Sequence, residues 1–156
     1  MSSIPVVLSF LVAMMLTSLP LPESAIIYRP DWLILVLIYW CMALPERIGI
    51  FTGWFLGLTL DVMYGSLLGQ NAMAFSIVAY LVNIMYLRVR MFPLWQQSVM
   101  VFLLVIVHLA INAWIRGISG QFSITWTYWM PALTSALVWP FLFVVLRDIR
   151  RQIIGK

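Results

Sequence analysis

Six apolar stretches alternate with short polar or turn-forming joints, at residues 4–19, 32–44, 48–64, 71–87, 94–115 and 126–146. Runs of this kind predict membrane-spanning helices, because a hydrocarbon core of ~30 Å takes ~20 residues at ~1.5 Å each. The breakers fall in the joints: Pro20 and Pro22, Pro30, Pro45, Gly65 with Gly69, Pro93, and Gly117 with Gly120. No joint is long enough to separate two domains. The pattern therefore predicts one domain over residues 1–156, an all-α integral membrane protein built as a six-transmembrane-helix bundle. The second stretch is short for a span, so it is either inset, flanked by snorkelling ends such as Arg29 and Arg47, or matched by a thinned bilayer. The first twenty residues lack a basic leader and a small-residue cleavage site, so the first stretch is read as a retained span.

Composition agrees with the pattern. Hydrophobic residues make up 64% of the chain and charged residues 9%, against ~25% charged in a soluble domain, so the chain cannot cover itself with polar surface. The net charge of +4 does not indicate nucleic acid, because Lys and Arg stand singly between apolar runs instead of forming a basic face. Their placement reports topology. With six spans, Arg47, Arg88, Arg90, Arg147, Arg150, Arg151 and Lys156 fall on one side, and only Arg29 and Arg116 on the other. The positive-inside rule then predicts a cytoplasmic (inner) membrane protein with both termini cytoplasmic and residues 20–31, 65–70 and 116–125 outside. Trp32, Trp95, Trp126, Trp129 and Tyr128 fit an interfacial belt, whereas Trp54, Trp114 and Trp139 are expected to pack between helices. The basic run from Arg147 to Arg151 reads as an orientation signal that could also attract anionic headgroups.

In the third stretch small residues recur every fourth position, Gly53, Gly57, Asp61, Gly65 and Gly69, and those within the helix share one stripe. Such a stripe lets a second helix backbone approach closely, which marks Gly53, Gly57 and Gly65 as a candidate face for a partner helix. An intramembrane carboxylate such as Asp61 is costly and needs a partner or a proton. Tyr80 and Asn83 on the next stretch, with His108 and Asn112 at i, i+4 on the fifth, are the candidates for a polar seam with it. That seam is either a proton, ion or ligand site or a set of interhelical hydrogen bonds that fixes register. The lone Cys41 excludes a disulfide within the chain, and His108 has no companions at metal-ligand spacing. Protease signatures and phosphate-binding Gly-rich loops are absent from the sequence, so no catalytic, cofactor or metal site is expected.

Further motifs stand in order along nearly the whole chain. Arg29-Pro30-Asp31-Trp32 opens the second stretch and Leu44-Pro45-Glu46-Arg47 closes it. The Gly53, Gly57, Asp61 and Gly65 series follows, then Ala79-Tyr80-Leu81, Leu94-Trp95-Gln96-Gln97, Leu137-Val138-Trp139-Pro140 and a short basic tail. In these features the chain resembles the rod shape-determining MreD family of Gram-negative bacteria. The resemblance implies a subunit of the peptidoglycan elongation machinery, held in the membrane with MreC, MreB, RodA and penicillin-binding protein 2. It also implies a bundle similar to energy-coupling-factor transporter substrate-binding subunits, which does not by itself transfer transport. The family's Pro-Asp pair falls on Pro30 and Asp31, beside Arg29, and its Gly/Asp pattern on Gly53, Gly57 and Asp61.

Two functions follow as expectations. The first is a non-enzymatic scaffold that positions peptidoglycan synthesis through helix contacts with partner membrane proteins. The alternative is a small-solute-binding membrane subunit of a transporter, for which Ser9, Ala13 and Thr17 would offer a second small-residue surface.

Overall fold

The computed structural model describes residues 4–18, 32–43, 48–64, 69–118 and 129–154. Six helices follow one another within them: α1 (Ile4–Ser18), α2 (Trp32–Ala43), α3 (Ile50–Tyr64), α4 (Gln70–Met91), α5 (Leu94–Ile118) and α6 (Met130–Ile154). One helix falls on each apolar stretch. Three of them, α4, α5 and α6, are long and apolar enough to cross a membrane. The others are apolar but shorter, with 15, 12 and 15 residues in α1, α2 and α3.

Helix ends overrun the apolar stretches where the flanking residues are good helix formers. Thus α6 continues to Ile154 and carries Arg147, Arg150 and Arg151 as part of a helix of 25 residues, not as a tail. At ~1.5 Å per residue it is ~38 Å long, so its basic end can project beyond a hydrocarbon core of ~30 Å. Hydropathy marks where the apolar environment stops. It does not mark where the backbone stops being helical.

The short second helix has a physical explanation. Every residue of α2 from Leu33 to Met42 is buried, with Leu35, Leu37, Trp40 and Cys41 fully enclosed. It packs most extensively on α4 and α1 and also touches α5 and α6. A helix that is apolar all round and sheathed by protein need not match the bilayer itself. At ~18 Å it spans only part of the core thickness.

Outside this centre the polarity is that of a protein in lipid. Val7, Leu11, Phe51, Phe55, Leu103 and Phe141 are exposed on the outer surface. Trp139 is buried as expected, but Trp54 and Trp114 are not between helices: they stand exposed on the outer faces of α3 and α5. Lipid tails are as apolar as these side chains, so burial by itself contributes little to helix association. Packing and interhelical hydrogen bonds carry it.

The prediction is a contrast in cavity cost. Leu37→Ala should destabilise the protein by about 2–5 kcal/mol in thermal or steric-trap unfolding, because the enclosed site cannot collapse. Leu11→Ala on the outer face should stay within about 0.5 kcal/mol.

Candidate functional site

The Gly and Asp stripe of α3 faces α4, and the two helices pack antiparallel along it. A β-carbon placed on Gly53 would lie 2.8 Å from the Phe75 carbonyl oxygen and 3.2 Å from the Ala79 β-carbon. One placed on Gly57 would overlap the backbone of Asn71 and Ala72. One on Gly49 would meet the Asn83 amide nitrogen at 2.8 Å. The face offered by Gly53 and Gly57 is therefore filled by the chain's own next helix, which corrects the expectation that a partner's helix docks there. Gly65 lies outside the described residues, as do Arg29, Pro30 and Asp31.

Asp61 closes the same hairpin. It is 1% exposed, and its carboxylate accepts hydrogen bonds from Gly69, Asn71 and Ala72 at the start of α4. Oδ1 takes the Asn71 backbone N–H and the Asn71 side-chain amide, each at 3.0 Å. Oδ2 takes the N–H of Gly69 at 2.9 Å and that of Ala72 at 3.4 Å. The first N–H groups of a helix have no partner within it, and the helix dipole places positive charge there. Gly69, at the N-cap, has φ of 98° and no side chain to cap with, so the cap comes from the preceding helix. A side chain at Gly69 would be strained in that left-handed conformation.

Of the residues expected to form a polar seam, His108 and Asn112 meet, within one helix. His108 and Asn112 are both buried on α5, and their side chains approach to 3.2 Å. With the Asn112 amide as donor, His108 Nε2 is the acceptor and the ring proton sits on Nδ1. The His108 ring packs edge-on to Phe75 at 5.1 Å. Tyr80 does not join them: it is 52% exposed, on the outer side of α4. Asn83 lies beside Gly49, at the opposite end of the α3–α4 hairpin from Asp61.

Other polar bonds join the helices without having been legible as site residues. Trp40 on α2 donates to Ser9 Oγ on α1 at 2.7 Å, Ala13 is buried, and Thr17 bonds back to the Ala13 carbonyl. Ser9 is thus tied to α2, and the Thr17 hydroxyl is spent within α1. Arg90 from the last turn of α4 caps the C-terminus of α2, with Nε 2.8 Å from the Met42 carbonyl and Nη2 3.0 Å from that of Ala43. Gln97 donates to the Val89 and Phe92 carbonyls at 3.0 and 3.3 Å and accepts the Trp139 indole N–H at 3.3 Å. This ties the α4–α5 corner to α6 and joins two motifs that stand far apart in the sequence.

Cys41 is buried in α2, and among the described residues no three His, Cys, Asp or Glu side chains come together. Between α1 and α6 an apolar groove of about 410 Å³ is lined by Leu8, Val12 and Leu16 on one side and Phe141 and Val145 on the other, with Val36 also contributing.

These features define a helical membrane protein whose buried polar groups bind its own helices to one another. The chain belongs to the MreD family: the family model for rod shape-determining protein MreD matches residues 2–149. A rod shape-determining protein MreD of Haemophilus influenzae is 37% identical over 147 residues, covering 92% of this chain and 89% of its own. No solved structure matches. Membership implies a role in rod shape determination.

Asp61→Asn keeps the shape of the side chain but turns an amide donor toward N–H groups that need an acceptor. It should cost about 1–3 kcal/mol per lost charged bond and lower the amount of folded protein in the membrane. Gly57→Ala, by forcing α3 from α4, should also lower the unfolding temperature. Unchanged stability in Asp61→Asn would contradict the capping role.

Proposed function

We propose that this chain is a non-enzymatic scaffold of the rod-shape machinery, positioning peptidoglycan synthesis during lateral wall growth through helix contacts with MreC and, with it, MreB, RodA and penicillin-binding protein 2. In this reading it crosses the cytoplasmic membrane six times with both ends inside, and the protein-sheathed α2 accounts for one crossing too short to stand alone. The observation that carries the reading is how the polar and small residues are spent. Asp61, Gly53, Gly57, Ser9 and Gln97 all hold the chain's own helices. That leaves a body with an apolar exterior, suited to being read by other helices within the bilayer.

With the Gly face occupied, the apolar groove between α1 and α6 is our choice of seat for a single apolar helix such as that of a bitopic partner. Its shape supports this, since helix packing seats side-chain ridges in grooves. The transporter reading is weakened, because the Ser9 and Thr17 hydroxyls are spent on Trp40 and on the backbone of α1.

Val12→Trp and Val145→Trp fill the groove from its two walls. Each should weaken co-purification with MreC at least about tenfold, the effect of ~1.4 kcal/mol, without changing the unfolding temperature. Undiminished co-purification with normal rod shape would exclude this groove as the contact.

A further inference from the structure

A second cavity, of about 300 Å³, lies where α2, α4 and α5 meet α6, and its walls include Tyr39, Met42, Arg90, Gln97, Phe143 and Arg150. It sits at the end of the bundle where Arg88, Arg90, Arg147, Arg150 and Arg151 collect. The grooves elsewhere on the surface are walled mostly by apolar side chains. This one brings two guanidinium groups to a single hollow.

Neither guanidinium has a carboxylate within ion-pair reach among the described residues. Asp148, the nearby acid, lies 4.0 Å from Arg147 instead. Arg90 is held by its bonds to the Met42 and Ala43 carbonyls and by its position over the Tyr86 ring, 5.1 Å from the centroid. Those bonds also offset the negative end of α2, which would otherwise repel an anion. The rest of the fork stays available, since a guanidinium has more N–H groups than these two bonds use. Gln97 is occupied on both sides by Val89, Phe92 and Trp139, so it forms wall and not ligand.

The remaining polar group is out of place unless something reaches it. Tyr39 is 2% exposed, and its hydroxyl is buried without a hydrogen-bond partner. Arg150 and Arg90 line the same cavity as Tyr39. Buried hydroxyls are nearly always paired, so an orphan beside two cations marks a place for an acceptor that carries negative charge.

We propose that this cavity binds a phosphate group, with Arg90 and Arg150 as its cationic partners and the Tyr39 hydroxyl as a donor. Phe143 and Met42 supply an apolar wall next to it, which suits the headgroup of an anionic phospholipid entering from the membrane surface. A soluble phosphate carries the same chemistry. A built site differs from diffuse attraction to a basic surface in requiring the uncharged Tyr39 hydroxyl as well as the charges.

The test uses the full chain in nanodiscs of phosphatidylcholine doped with phosphatidylglycerol, and native mass spectrometry of the lipid retained. Wild type should hold phosphatidylglycerol about fivefold or more over phosphatidylcholine, the preference expected from one well-placed cation. Arg150→Gln should abolish that preference, and Tyr39→Phe, which keeps the ring and its packing, should reduce it severalfold. In pure phosphatidylcholine discs, a rise in unfolding temperature with millimolar inorganic phosphate, lost in both variants, would identify a soluble phosphate as the source. A preference that survives Tyr39→Phe unchanged would reduce the effect to surface charge and overturn the site. So would the absence of both lipid preference and phosphate response.

Discussion

A buried carboxylate has to be surrounded by donors, and Asp61 takes the backbone N–H groups of Gly69, Asn71 and Ala72 and the Asn71 side-chain amide at the start of the next helix. The same contact solves the converse problem, since the first N–H groups of α4 would otherwise be buried without a partner. Each group is expensive alone and cheap together. The contact is reachable only because Gly53 and Gly57 let the two backbones approach along the length of α3. Close approach and carboxylate cap are therefore one constraint, and it sets the register of the hairpin on which α2 and α5 rest.

Around that hairpin a few polar side chains tie the other helices together. Arg90 closes the C-terminus of α2, Trp40 reaches Ser9 on α1, and Gln97 joins the α4–α5 corner to Trp139 on α6. Before Trp40, α2 is held by apolar packing, from Leu33 to Ile38. In a bilayer such packing gains nothing from expelling water, so a few hydrogen bonds and tightly fitted backbones decide the arrangement. The outcome is a body whose polarity is spent inward. Family membership links it to rod shape, and the groove between α1 and α6 gives the proposed scaffold a place to be read.

Much of the helix inventory was legible in the sequence, because apolar runs separated by Pro and Gly have few other solutions in a membrane. The brevity of the second run was visible too, but its cause was not, since only packing reveals that α2 is enclosed by four other helices. The stripe through Gly53, Gly57 and Asp61 points to close backbone approach, yet spacing cannot say whose helix fills it. Asn71 was passed over as an ordinary start of a helix. A carboxylate at the end of one helix, followed closely by Gly69 and Asn71 opening the next, is the signal that could have found it. The Gln97 and Trp139 bond crosses 42 residues of chain, a separation that no local pattern encodes. Trp54 and Trp114 were misplaced because a large ring inside an apolar run suits lipid contact as well as packing.

The central claim is that Asp61 works by holding the first turn of α4, and a double-mutant cycle between Asp61→Asn and Asn71→Ala measures it directly. If the carboxylate and Asn71 share one hydrogen-bonded unit, the two losses of unfolding free energy should couple by roughly 1 kcal/mol or more. Losses that simply add, within about 0.3–0.5 kcal/mol, would contradict the account.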